Sequence, residues 1–421
     1  MRNIEPVYTL SNLGKLEGHV KPNDGSVKER RRRLASLAGG VWFAYSYRPV
    51  GTARALSARQ QVGQLLWIGL EGTRITPSLE RLIGDVSPGG IILFGRNLTD
   101  DPRQIRKLTD ALYNALPVPP FIALDQEGGR VSRLRAIVGP TSPSASLATR
   151  TDAAQAVRRQ SEATALALKC LGFNVNFAPV LDLSGPAARN GIGDRAFGES
   201  PRTVTLLAGL FAAAHLRAGV LCVGKHFPGL GGALADTHET LPVIRRTRAQ
   251  LLRQDLLPYR RLRHVLPIIM IGHACYPALQ GRVDQPASLA PSVVSALLRR
   301  RLGYRGLVLT DDLEMGAVDQ SLDGGTLALA ALKAGNDGLM YCRSEARIRL
   351  AAESLERAVT EGAIPPARIR ESLRRIQAAK SRYLLGRRRA PYSRGTLASA
   401  CSLLESLAPE PAVGIDPTAR A

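Results

Sequence analysis

The chain has 421 residues, 45% of them hydrophobic, which is enough for one large core such as a barrel of about 250 residues. Its net charge of +22 raises anionic partners, but 49 arginines stand against 8 lysines and aromatic residues make up only 5%, so the excess reads as compositional bias and nucleic-acid binding is disfavoured. No run of about 18 apolar residues marks a membrane span, and five cysteines without metal-type spacing read as reduced, mostly buried thiols of a cytoplasmic protein.

Residues 1–52 differ from the rest. A polar lead precedes a basic run at 28–33 and a short apolar run at 34–46. That order resembles a signal peptide. The basic run starts late, the apolar run contains Gly-Gly, and no small-x-small cleavage pattern follows near Tyr45. The segment is read as a disordered extension or a misplaced start, with export as the alternative.

From about residue 56, apolar runs alternate with amphipathic ones. Strands are predicted at 64–70, 90–97, 120–125, 173–183, 219–227, 266–273, 306–311 and 337–342. Helices are predicted at 102–116, 153–171, 202–218, 248–265, 291–302 and 325–334, with 345–383 continuing as helix. Eight strands alternating with helices predict a closed parallel (β/α)8 barrel over residues 53–385, with a doubly wound sheet as the alternative. No GxGxxG follows a strand, so nothing marks a dinucleotide site. Residues 386–421 read as a loosely ordered tail.

One stretch, KHFPGLGGALADTHETLPVI at 225–244, is too irregular for helix or strand and rich in polar chemistry. Lys225 and His226 end a buried strand. The glycines that follow allow unusual backbone angles and movement. Asp236 stands two residues before His238, and such a carboxylate can hold an imidazole in one tautomer as a general acid and base. Alone, each motif is an ordinary surface turn. Polar residues also gather at other strand ends: Asp125, Asp182, His273, and the Thr310-Asp311-Asp312 run. Barrel active sites lie at that rim. Taken singly, Asp182 and Asp312 read as a salt bridge or a loop cap.

The segments DQEGGRV, IGDRAFG, GKHFPGxG…DxH, PASL and GYRGLVLTDDLEMGAV occur in this order over roughly residues 56–380. They resemble glycoside hydrolase family 3, most of all its single-domain β-N-acetylglucosaminidase branch, which acts in bacterial cell-wall recycling. Relatives outside that branch take their acid/base carboxylate from a second domain, for which this chain has no room. The resemblance implies Asp311 as nucleophile, His238 as acid/base and Asp236 as the carboxylate that tunes it. It implies Asp125, Arg133, Arg195, Lys225 and His226 as sugar-binding residues. The implied reaction is retaining hydrolysis by double displacement, without metal or organic cofactor, on an N-acetylglucosaminyl muropeptide-like carbohydrate. Leu230 departs from the pattern, which usually has a second histidine there. Alternatives are a β-glucosidase-like family member, a glycoside phosphorylase, a non-catalytic barrel, or a basic nucleic-acid-binding protein; Asp311 and His238 together argue against a silent barrel.

Overall fold

The computed structural model describes residues 56–185, 191–384 and 389–408. All eight predicted strands are present, most of them shorter than their apolar runs. They are β1 (Leu66–Gly69), β2 (Gly90–Ile92), β3 (Phe121–Leu124), β4 (Val175–Asn176), β5 (Leu221–Phe227), β6 (Ile268–Ile271), β7 (Leu307–Asp312) and β8 (Gly338–Tyr341). Each pairs in parallel with the next, and β8 closes on β1. Closure settles the fold as the expected barrel. With side chains filling the inside and helices outside, both strand faces are buried, which is why the strands read as unbroken apolar runs.

Helices follow the strands: α1 (Pro77–Val86), α2 (Pro102–Asn114), α3 (Ala153–Cys170), α4 (Pro201–Ala218), the short α5 (Arg248–Arg253) and α6 (Leu256–Leu262), a π-wound helix at Ser292–Arg301, α7 (Gly324–Ala334) and α8 (Glu345–Thr360). Four differences from the sequence reading have local causes. First, α1 was not expected, although Thr76 caps it by accepting from the Leu79 amide and it buries Leu79, Leu82, Ile83 and Val86. Second, the helix expected at 248–265 breaks at Asp255, whose buried carboxylate accepts two bonds from Arg246 Nη1, at 2.7 and 2.6 Å. Third, the helix expected to run to 383 stops after α8, and α9 (Pro366–Tyr383) starts anew beyond Pro365.

The fourth difference is the tail. Its described part, residues 389–408, is ordered and contains α10 (Arg394–Glu405). Leu397, Ala400 and Leu404 of this helix are buried, and Ser142 Oγ donates to the Leu407 carbonyl at 2.7 Å. The Ser/Ala-rich composition hides an apolar stripe at i, i+3 and i+7. The reading of residues 1–52 lies outside the described residues. Among the described residues, no helix is long and apolar enough to cross a membrane.

Inside the barrel, the Trp67 ring stacks on Phe121 with centroids 4.9 Å apart and sits 6.0 Å from Phe177. Gly90 makes room for it: a Cβ there would lie 2.3 Å from Trp67 Cδ2. These stacked rings fill part of the interior, and Phe177 also reaches the cavity at the strand ends.

Two register shifts occur at that rim. Between β5 and β6, Gly224 pairs with Ile269 but Phe227 pairs with Ile271, so β5 carries one extra residue around Lys225 and His226. Between β7 and β8, Gly338 pairs with Leu309 but Met340 pairs with Asp312, so β7 carries one extra around Thr310 and Asp311. Such bulges re-aim side chains where a strand ends.

Candidate active site

Asp311 sits on the β7 bulge. Its Oδ1 accepts from the Asp312 amide at 2.9 Å, and its Oδ2 lies 4.0 Å from His226 Nε2. Burial opposes ionisation of this carboxyl, but His226, His273, Lys225 and His238 together outweigh it and hold its pKa below the usual value. Asp311 is therefore a carboxylate, as a nucleophile must be. Asp312, which also borders the cavity, caps the chain by accepting from the Glu314 and Cys342 amides at 3.1 and 3.2 Å.

His226 is set by Asp182. The Asp182 carboxylate accepts from the His226 amide, from the Leu230 amide at 2.7 Å, and from His226 Nδ1 at 2.7 Å. A carboxylate only accepts, so Nδ1 carries a proton and Nε2 is left facing Asp311. Asp182 is thus more than a loop cap. Leu230 takes part through its amide, and its side chain is a wall of the cavity.

The strand-end glycines act mainly by size. A Cβ on Gly231 would lie 2.3 Å from the Leu183 carbonyl oxygen, so the loop runs hard against the segment after β4. Only Gly229 of this group uses a left-handed backbone, at φ 130°.

Lys225 and Arg195 belong to a buried charge network. Lys225 Nζ lies 2.5 Å from Asp125 Oδ1 and 2.7 Å from Glu127 Oε1. Arg195 Nε and Nη2 bond the two oxygens of Glu127, each at 2.8 Å. Burial disfavours the charge on Glu127, yet Arg195 and Lys225 prevail and hold its pKa well down. For the same reason Arg195 and Lys225 titrate above their usual values, although burial opposes this. Glu127 went unremarked in the sequence. Its signal was a second carboxylate two residues past Asp125, on a hairpin of Gln126–Gly128 and Val131–Ser132. Arg130 fixes that hairpin to the Gly193–Arg195 turn through Asp194, at 2.7 Å.

The acid/base candidate is already in position. His238 Nδ1 lies 2.7 Å from Asp236 Oδ1, and the His238 amide donates to the same oxygen at 2.9 Å. Burial raises the Asp236 pKa, but the bonds from His238 reverse this and keep it low, so the pair holds an anion against the ring. The segment is docked on the loop after β7: the Ala317 amide donates to Thr237 O at 3.1 Å and the Gly316 amide to His238 O at 3.2 Å.

Seven of the eight predicted site residues line one cavity of about 570 Å³, open mouth included: Asp125, Arg195, Lys225, His226, Asp236, His238 and Asp311. Arg133 stands behind them, its Nη2 4.0 Å from Asp125 Oδ2 and its guanidinium over the Phe94 ring. The apolar walls come from Phe94, Phe177, Leu230 and three methionines. His273 lies behind Asp311, its Nε2 2.9 Å from the Asp312 carbonyl oxygen and its Nδ1 2.8 Å from Ser288 Oγ. Among the described residues, no three His, Cys, Asp or Glu side chains converge as a metal ion's ligands would.

The strand ends of this parallel barrel set a carboxylate and a carboxylate-held imidazole on one cavity, the pair of groups a glycosidase barrel needs. Residues 57–379 match the glycosyl hydrolase family 3 N-terminal domain, and the chain belongs to that family. It is similar to a β-hexosaminidase of Bordetella pertussis, with 38% identity over 320 residues that cover 74% of this chain and 88% of the relative. It is 34% identical over 342 residues to the β-hexosaminidase LpqI of Mycobacterium tuberculosis, covering 79% and 85%. A solved family 3 β-N-acetylglucosaminidase from Paenibacillus matches with a TM-score of 0.78 and 34% identity, covering 84% of this chain and 68% of that one.

Proposed function

We propose that the chain is a β-N-acetylhexosaminidase that releases β-linked N-acetylglucosamine from cell-wall fragments by double displacement. The observation that carries this reading is that Asp311 and the Asp236–His238 pair open on the same cavity. The names of the relatives support the sugar. The cell-wall aglycone rests on the family branch that the motifs resemble.

In the first step an Asp311 oxygen attacks the anomeric carbon. The bond to the glycosidic oxygen breaks, and His238 Nε2 gives that oxygen its proton. Asp236, bonded at Nδ1, stabilises the imidazolium beforehand and fixes which nitrogen faces the sugar. In the second step the neutral ring takes a proton from water. The resulting hydroxide attacks the same carbon, and the Asp311 carboxylate leaves. Two inversions give net retention. Around this axis Asp125 accepts from sugar hydroxyls and Lys225 donates to them, His226 Nε2 accepts from them while its ring is neutral and donates when it is protonated, and Arg195 and Arg133 hold the carboxylates in register.

Water is the favoured acceptor over phosphate. The cations nearest the cavity, Lys225 and Arg195, are already engaged by Asp125 and Glu127. Asp236 and Asp311 add further negative charge at the walls, which repels an anion. The test pairs nitrophenyl β-glycosides of N-acetylglucosamine and glucose with NMR of the first-formed anomer. Preference for the N-acetyl sugar and a β product are expected. Preference for glucose would overturn the substrate, and an α product would overturn the mechanism.

A further inference from the structure

The chain has four methionines, and the three after Met1 all line the active-site cavity. They come from separate elements: Met270 from β6, Met340 from β8, and Met315 from the loop after β7. Two are tied to the strand end that carries Asp311. The Met315 amide donates to the Asp312 carbonyl at 3.1 Å, and the Met340 amide to Thr310 Oγ1 at 3.0 Å. All three are shielded from bulk solvent, with Met315 the most open at 6% exposure. No methionine serves any other part of the described core, which is otherwise built mainly of leucine, isoleucine, valine and alanine. Packing alone does not ask for sulfur at these places, since leucine fills similar volume.

We propose that these three thioethers make the cavity the oxidant-sensitive site of the chain, with Met315 modified first and the oxidant a small neutral hydroperoxide. This rests on the cavity being the sugar site. The sulfur lone pair attacks one peroxide oxygen and the O–O bond breaks. The transferred oxygen passes its proton to the departing hydroxide, which leaves as water, or as alcohol from an organic hydroperoxide. The sulfur is oxidised by two electrons to a sulfoxide, and the peroxide is reduced. A flexible apolar wall thereby becomes polar and larger, which disfavours the apolar face of a sugar and crowds the turn beside Asp311.

A fourth sulfur, Cys342, also lines the cavity but does not compete. Burial, then the carboxylates of Asp312, Glu314 and Asp311, hold its thiol well above the usual pKa, so the reactive thiolate is scarce. A thioether has no proton to lose and reacts without that step.

The experiment treats the full chain with graded hydrogen peroxide, quenches with free methionine, and divides each sample between activity, circular dichroism and peptide mass spectrometry. One-oxygen additions at Met315, then at Met270 and Met340, are expected, slowed by N-acetylglucosamine. Activity should fall roughly tenfold or more in step with them, while the fold is retained. Met315→Leu, judged against its own untreated activity, should lose less at each dose. The proposal is overturned if these methionines stay unmodified, if they are oxidised with no loss of activity, or if activity tracks oxidation of Cys342 instead. An untreated chain inactive on N-acetylhexosaminides would sink the functional reading alone. The peptide map would still decide whether the cavity sulfurs are the targets.

Discussion

Arg195 and Glu127 meet through two parallel bonds of 2.8 Å, in a pair almost wholly removed from water. Glu127 also holds Lys225, which Asp125 pairs from its other side, so two carboxylates balance two cations beneath the cavity. Glu127→Gln keeps the shape and removes the charge. Leaving buried cations undercompensated costs roughly 3–5 kcal/mol. A lower melting temperature by thermal denaturation and a raised KM are expected, because Arg195 loses its paired carboxylate and Lys225 loses one of its two.

His238→Ala should lower kcat by about 10²–10⁴-fold on substrates with a sugar leaving group. The loss should be smaller on nitrophenyl glycosides, whose leaving oxygen needs less protonation. Asp236→Asn removes the anion that stabilises the imidazolium and should give a loss of the same kind but smaller size. Equal losses on good and poor leaving groups, measured by steady-state kinetics, would remove the acid role from His238.

Lys380, from α9, is fully buried, donates to Gln64 Oε1 at 2.8 Å, and sits over the Phe121 ring. Burial pulls its pKa down to about 7. The unfolded chain takes up this proton near pH 10 and the folded chain only near pH 7, so stability falls as pH drops through that window and then levels off. Lys380→Met removes this term, which is on the order of a few kcal/mol. Its stability relative to the parent should therefore be higher at pH 7 than at pH 10, in urea titrations at both.

Asp312 gives the opposite slope. Burial, then Glu314 and Asp311, push its carboxyl up to about 7. Between about pH 4 and pH 7 the unfolded chain loses this proton and the folded chain keeps it, so stability falls as pH rises. Asp312→Asn should gain stability against the parent at pH 8 relative to pH 5, by the same measurement.

The barrel was legible because burial on both faces turns each strand into an apolar run. The site was legible because strand ends are where polar residues interrupt those runs. Asp311 and the Lys225-His226 pair follow from that rule. The bulges that aim them do not, since an extra residue shows only against a partner strand. Glu127 and the orienting part played by Asp182 were hidden for a related reason: their partners, Arg195, Lys225 and His226, are 68, 98 and 44 positions away in sequence. The glycines of the site loop suggested motion, yet Gly231 is required by contact with Leu183. The helix α10 was missed because serine and alanine obscured its stripe.

The central claim is covalent attack by Asp311 on a sugar held under His238. A slow 2-fluoro or 5-fluoro glycoside that accumulates the glycosyl-enzyme, followed by peptide mass spectrometry, addresses it most directly. The label is predicted on Asp311 and should be absent from Asp311→Ala. A label on Asp125, Asp236 or any other side chain, or turnover without a trapped intermediate in the intact chain, would contradict it.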